Sequence, residues 1–214
     1  MKPNELNIVI PMKDPTKAKS RLRDVLAPQN RATLALTLYR NTLQFFAEFF
    51  PEANRLVVTE SAQIAAIAKQ YQADVLLEAK AQGLNQALNA ATQWSLKHKF
   101  HYQLIIPADI AQLSAHEVNQ LLLQMQQGHD VVIAQAKDGG TNALACSPPN
   151  AINFCYGKDS AEAHLQLARA NGLAVKCLTL SQLSLDIDWP ADLKQLHSSH
   201  QANPLTTFEP RAAL

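Results

Sequence analysis

Between Ile8 and Arg23 the chain reads IVIPMKDPTKAKSRLR, placing Lys13, Lys17, Lys19, Arg21 and Arg23 against Asp14 alone in a protein of formal net charge +1. Such a local excess of cations suits a polyphosphate, because it follows directly on the apolar run Ile8–Ile10, and ligands of open α/β sheets bind beyond the carboxyl ends of strands. The loop contains no glycine, so it is neither a Walker loop nor a GxGxxG turn, and its phosphate contacts must come mainly from side chains. Three carboxylates are placed to oppose it. Asp109 ends the apolar run YQLII-Pro-Ala, while Asp186 and Asp188 flank Ile187 just before Trp189-Pro190. Two or three carboxylates facing a cationic loop would hold Mg²⁺ against a triphosphate, since that ion takes one or two carboxylates plus phosphate oxygens. Each group also has a plainer reading: a solvated loop, a turn aspartate, and an acidic pair that complements a helix dipole.

Substitution at a phosphorus of a metal-bound triphosphate by a group already ionised near neutral pH needs no histidine or serine base. Charge neutralisation and in-line positioning are what it requires. The chain has no Ser/His/Asp or Cys/His arrangement, and its seven histidines are scattered without ligand spacing, so each is read as surface or local structure.

These groups must be positioned by alternating strands and helices. Helical periodicity predicts helices over about 28–49, from Ser61, over about 84–97, from Ser114 and from Ser160 to Gly172, with Ser61 and Ser160 as N-caps and Ser114/Glu117 as a capping box. Apolar runs at Ile8–Ile10, Arg55–Thr59, Ala73–Leu77, Tyr102–Ile106, Asp130–Ala134, Ala143–Cys146 and Leu173–Leu180 predict strands. Helix 84–97 is expected to bury Leu88, Ala91 and Trp94. Gly83-Leu84-Asn85 is expected to approach a ligand closely, and Gly139-Gly140 to turn backbone amides toward one. The start of the helix at Ser160 is a further anion site. The alternation spans the chain and predicts an α/β fold: a single three-layer α/β/α domain with a mainly parallel sheet over residues 1–197, then a polar tail, 198–214.

With 214 residues, 47% of them hydrophobic and 17% charged, the chain is long enough for a full core and too neutral for a general nucleic-acid binder. Three cysteines without CxxC spacing argue against a disulfide framework or a zinc site. The start MKPNELN has no apolar signal region and no apolar run approaches the ~18 residues of a membrane span, so a cytoplasmic location without membrane partners is expected.

As an ordered set, IPMKDPTKAKSRL, GLNQALNAA, IIPAD, DGGTNAL, FCYGKDSAEAHL and LSLDIDWPADL resemble the 2-phospho-L-lactate guanylyltransferase family of coenzyme F420 biosynthesis, across roughly residues 8–196. The resemblance implies a nucleotide-diphospho-sugar transferase-like fold. It also implies transfer of GMP from GTP to a small phosphorylated acid (2-phospho-L-lactate, phosphoenolpyruvate or 3-phosphoglycerate), with Mg²⁺ and release of pyrophosphate. By position it implies metal binding by Asp109, Asp186 and Asp188, and acceptor-phosphate contacts from Thr141, Gly157 and Ser160. Nucleotide binding falls to Lys13, Lys19 and Arg21 and to the segment beginning at Gly83 with Asn85; Lys19, Arg21 and Asp109 are the expected catalytic groups. A homodimer is left open. Two departures stand out: Ile110-Ala111-Gln112-Leu113, expected to alter the cleft near the metal, and Trp189, expected to change only a helix start. The competing readings are a metal-dependent glycosyltransferase, which releases a nucleoside diphosphate, and a nucleotide-binding sensor without turnover.

Overall fold

The computed structural model describes residues 1–193. The expected domain end at 197 and the tail 198–214 lie outside the described residues. Seven strands form one sheet: β1 (Leu6–Pro11), β2 (Asn54–Thr59), β3 (Asp74–Leu77), β4 (Tyr102–Ile105), β5 (Val131–Gln135), β6 (Thr141–Cys146) and β7 (Val175–Leu178), in the order β3-β2-β1-β4-β6-β5-β7. All neighbours pair in parallel except β6, which runs antiparallel to both β4 and β5. Five α-helices cover the sheet: α1 (Pro28–Phe49), α2 (Ala62–Gln70), α3 (Leu84–Lys97), α4 (Ala115–Gln126) and α5 (Ser160–Ala170). None of them, among the described residues, is long and apolar enough to cross a membrane.

Strand alternation divides the core into two layers. Leu6, Ile8 and Ile10 of β1 face one side with Tyr39 and Phe46 of α1, Ile64 of α2 and Leu121 of α4. Val9 faces the other, with Leu88 and Ala91 of α3 and Ala161 and Ala168 of α5. Both faces of the sheet are thus covered, which explains why the strands read as continuous apolar runs.

The amides of Gly139 and Gly140, expected to face a ligand, are taken within their own turn by Ala136 O (3.1 Å) and Asp138 Oδ1 (3.0 Å), and four expectations about helix ends and faces also differ from the structure. Ser61 occupies the N-cap position of α2, but its side chain makes no capping bond. On α3 Trp94 is half-buried, packed against the core, and the fully buried face continues through Thr92 and Ser95, where a polar network runs from Asn7 Nδ2 to Ser95 Oγ (2.8 Å), on to Gln103 Oε1 (2.6 Å), and from Gln103 Nε2 to Thr92 Oγ1 (2.9 Å). Ser114 Oγ accepts from the Glu117 amide, yet the Glu117 carboxylate does not complete a box. It accepts instead from the amides of Gln182 and Leu183 and from Ser181 Oγ, at 2.8–3.1 Å, tying the segment that leads to Asp186 onto α4. Ser160, finally, is not a cap: Asp159 stands in that position with φ +53°, and Ser160 is the first helical residue, its hydroxyl drawn to Thr141 on β6.

Candidate active site

The order of strands reverses between β1 and β4, and a cleft opens beyond the carboxyl ends there, as expected where two crossovers diverge. It measures about 470 Å³ and draws its walls from Pro11–Lys13 and Lys17–Lys19 after β1, Glu60 after β2, Glu78 after β3, Gly83 and Leu84 at the start of α3, and Pro107–Asp109 after β4, with Asp188 closing it. Gly83 adopts φ +99°, and a Cβ there would meet nothing within 4 Å, so the backbone lies open to the cleft.

The cationic loop does not act as a block. Lys13 and Lys19 line the cleft, and so does Lys17, which pairs with Glu60 at 3.6 Å. Arg23 is solvated, with a 3.9 Å approach to Asp24. Lys19 is the centre of the site: only 6% exposed and in a left-handed conformation (φ +54°), its Nζ lies 2.6 Å from Asp109 Oδ2 and 3.2 Å from Asp188 Oδ1. Burial opposes its charge, but the two carboxylates outweigh burial and raise its pKa above the ordinary lysine value. Arg21 extends the cluster, donating to Asp188 Oδ2 at 2.8 Å while its guanidinium stacks 5.0 Å from the centroid of Trp189. Trp189 therefore does more than start a helix; it borders the site.

Asp109 and the Asp186/Asp188 pair meet through backbone pairing. Ile110 bridges Asp186 in antiparallel fashion, Ala111 N donates to Leu185 O (2.9 Å), and Ile187 N donates to Asp109 O (3.3 Å). The departure at Ile110–Ala111 is thus the seam that assembles the acidic cluster. Asp192 Oδ2 accepts from the amides of Asp188 and Trp189, at 3.1 and 2.7 Å, and fixes the next turn. Asp186 lies behind, accepting from Asn142 Nδ2 at 3.3 Å; burial, then the charge of Asp109, raises its carboxyl pKa. All three donors are carboxylates, the oxygen ligands that Mg²⁺ prefers, and Asp109 and Asp188 already share one cation, the Lys19 ammonium. Among the described residues no three His, Cys, Asp or Glu side chains are gathered closely enough to hold a metal on their own. The set fits an ion that completes its shell with phosphate and water.

The residues expected to receive the acceptor, Thr141, Gly157 and Ser160, lie outside the lining of this cleft. Thr141 opens β6 beside the Gly139-Gly140 turn, and Ser160 donates to its Oγ1 at 3.0 Å. Gly157 (φ +152°) leaves open space where a Cβ would stand. One first-turn amide of α5, that of Ala161, is taken by the Gly139 carbonyl. Asn85 does not line the cleft: its amide group clasps the backbone of Tyr156, receiving from N at 2.9 Å and donating to O at 3.3 Å, and so joins α3 to the loop before α5. His164, fully buried, stands behind Thr141.

Residues 6–203 match the family described as "Guanylyl transferase CofC like". The chain belongs to this family. A "3-phospho-D-glycerate guanylyltransferase" from Colwellia psychrerythraea is 47% identical over 190 residues, 89% of this chain and 90% of that protein. A "Phosphoenolpyruvate guanylyltransferase" from Sphaerobacter thermophilus is 32% identical over 188 residues, 88% and 90% of the two chains. Among solved structures, one described as a nucleotide-diphospho-sugar transferase from Desulfovibrio desulfuricans G20 superposes with a TM-score of 0.76 at 20% identity, covering 93% of this chain and 89% of that one, and shows that the fold is of that type.

For a guanylyltransferase the arrangement offers charge of the kind phosphoryl chemistry asks of a protein: a buried ammonium beside the cleft and carboxylates of a type that suits a divalent ion. Several residues in and beside these two groups have no signal in the sequence that spacing could detect. Glu60 and Glu78 come from separate strands, and the carboxyl pKa of Glu78 is raised by burial and then by Glu60. His164 looks like any helical histidine. Burial lowers its pKa from 6.5 to about 4. Because the folded value lies below the unfolded one, the neutral imidazole's contribution is fully present above pH ~6.5 and is lost as pH falls toward 4. The loss amounts to as much as about 3 kcal/mol. Chemical denaturation across that range should show this loss in the parent and a flatter profile in His164→Asn; coincident profiles would contradict a buried neutral imidazole.

Proposed function

We propose that the protein transfers GMP from GTP to the phosphate of 3-phospho-D-glycerate. An oxygen of the acid's phosphate forms a bond to the α-phosphorus, the bond from that phosphorus to the β-bridging oxygen breaks, and pyrophosphate leaves. The observation that carries this reading is the Lys19 ammonium held between Asp109 and Asp188 at the floor of the β1/β4 cleft. In this reading Lys13, Lys19 and Arg21 neutralise the triphosphate and the departing pyrophosphate. Asp109 and Asp188, with Asp186 behind them, would hold Mg²⁺, which supplies further charge neutralisation when bound. Gly83 lets the nucleotide approach the backbone. Glu60 and Glu78 offer carboxylate acceptors suited to the N–H donors on the base edge of guanine. Thr141, Gly157 and Ser160 receive the acceptor's phosphate.

The choice among acids is supported by the 47% identity to a relative named for 3-phospho-D-glycerate, against 32% to one named for phosphoenolpyruvate. The product would serve the assembly of coenzyme F420 or a close variant, as the family resemblance implies. The test is to incubate GTP and Mg²⁺ with 3-phospho-D-glycerate, phosphoenolpyruvate and 2-phospho-L-lactate separately, following pyrophosphate and product mass. Discrimination by small polar groups in a pocket predicts a kcat/KM at least about tenfold higher for 3-phospho-D-glycerate. A stronger response to another acid would reassign the acceptor. Release of a nucleoside diphosphate from a nucleotide sugar would favour the glycosyltransferase reading, and GTP binding without turnover the sensor.

A further inference from the structure

Two hydrogen bonds fix the state of a side chain that the transfer chemistry does not itself use. The backbone amide of Cys155 can only donate, and it lies 2.9 Å from His164 Nε2. That nitrogen must therefore carry the lone pair, and in a neutral imidazole the proton then sits on Nδ1. His164 Nδ1 lies 3.1 Å from Thr141 Oγ1, so the Nδ1–H donates to the threonine hydroxyl. Ser160 Oγ donates to the same oxygen at 3.0 Å. With Ser160 as the donor of that hydroxyl pair, both lone pairs of Thr141 Oγ1 are occupied and its hydroxyl has one role left. It can only donate, and a phosphate, with oxygens that only accept, is its complement. Thr141, Ser160 and His164 are all buried, at 6%, 1% and 0% exposure, so water competes poorly for these bonds.

We propose that His164 is a positioning residue for the acceptor: its Nδ1–H, together with the Ser160 hydroxyl, holds the Thr141 hydroxyl as a hydrogen-bond donor to the phosphate of the phosphorylated acid. This rests on the reading that Thr141, Gly157 and Ser160 receive that phosphate. The same ring carries a structural duty through Nε2, anchoring the loop at Cys155 that leads to Gly157. The two duties sit on different nitrogens and can be separated. The amide of asparagine stands near the place of Nδ1 and keeps a donor for Thr141; the amide oxygen of glutamine stands near Nε2, keeping an acceptor for Cys155 while losing the donor.

Pyrophosphate release would be measured with saturating GTP and Mg²⁺ and varied 3-phospho-D-glycerate. H164Q should raise KM for the acid about tenfold or more, the loss expected for one oriented hydrogen bond to a charged group, with KM for GTP within about twofold. H164N should bring KM for the acid back to within about threefold of the parent. In a T141V background H164Q should add less than about twofold, because the hydroxyl it serves is gone. Equal KM values in H164Q and the parent, or a full additional effect on top of T141V, would reduce His164 to a support for Cys155. Imidazole ¹⁵N spectra of the parent give a test independent of any variant: a proton on Nδ1 supports the proposal, and a proton on Nε2 overturns it. If the parent releases no pyrophosphate with any of the three acids, the acceptor reading fails instead, and the spectra still decide the orientation of the Thr141 hydroxyl.

Discussion

Asp109→Asn is expected to lower kcat/KM for GTP by about 10³-fold. Its carboxylate is the 2.6 Å partner of Lys19 and, in the proposed reaction, a metal-holding group at the cleft floor, so the substitution weakens two charge interactions that must strengthen as charge develops on the leaving pyrophosphate. Fold stability should change far less. Stripping one partner from a fully buried ion pair costs about 3–5 kcal/mol, but Asp109 is one-third exposed and Lys19 keeps Asp188, so a loss of about 1–2 kcal/mol is expected. Steady-state pyrophosphate release over an Mg²⁺ titration, alongside denaturant melts, separates the two effects. A rate like the parent's at saturating Mg²⁺ would remove Asp109 from the catalytic machinery.

The second large effect belongs to Lys19→Met, which keeps the stem and removes the charge. A drop in kcat/KM for GTP of about 10²-fold or more is expected, because the ammonium neutralises phosphate charge from within a buried setting where such contacts are strongest. KM for the acid should hardly move. Arg21→Ala should cost less, about tenfold, since its side chain is half exposed and solvent screens it. The contrast between the two is the diagnostic: equal, small losses that vanish at high salt would mean that the whole loop is a solvated surface and that the Lys19 cluster is not a catalytic one.

Much of this architecture was legible from residue patterns. The helices Pro28–Phe49 and Leu84–Lys97 were expected over the same spans, because long amphipathic periodicity with Pro28 at the first turn and Gly83 before the other is a local signal that tertiary contacts have no reason to override. The strands were legible as apolar runs for the complementary reason that a sheet covered on both faces admits few polar side chains. Lys19, Arg21, Asp109 and Asp188 were recognisable as candidates because charges at strand ends stand out against an otherwise neutral chain, and the structure brings these four into one network of ion pairs.

What the sequence determined by itself was therefore the inventory of elements and the charges at their ends, which depend on neighbours a few residues away. What only the tertiary structure decided was which polar groups face each other. Ser160 carries a cap-forming side chain, yet its hydroxyl is claimed by Thr141, 19 residues earlier; Glu117 carries the capping-box carboxylate, yet three donors from residues 181–183 claim it instead. A local hydrogen bond at a helix end leaves its groups half in water, whereas a buried partner supplies a bond in a medium where leaving it unmade is costly, so the distant partner wins. The same reason hid His164 and Trp189. Nothing in their own segments indicates that one will be sealed behind Thr141 and the other stacked beneath Arg21, because each contact is set by the crossing of segments far apart in the chain.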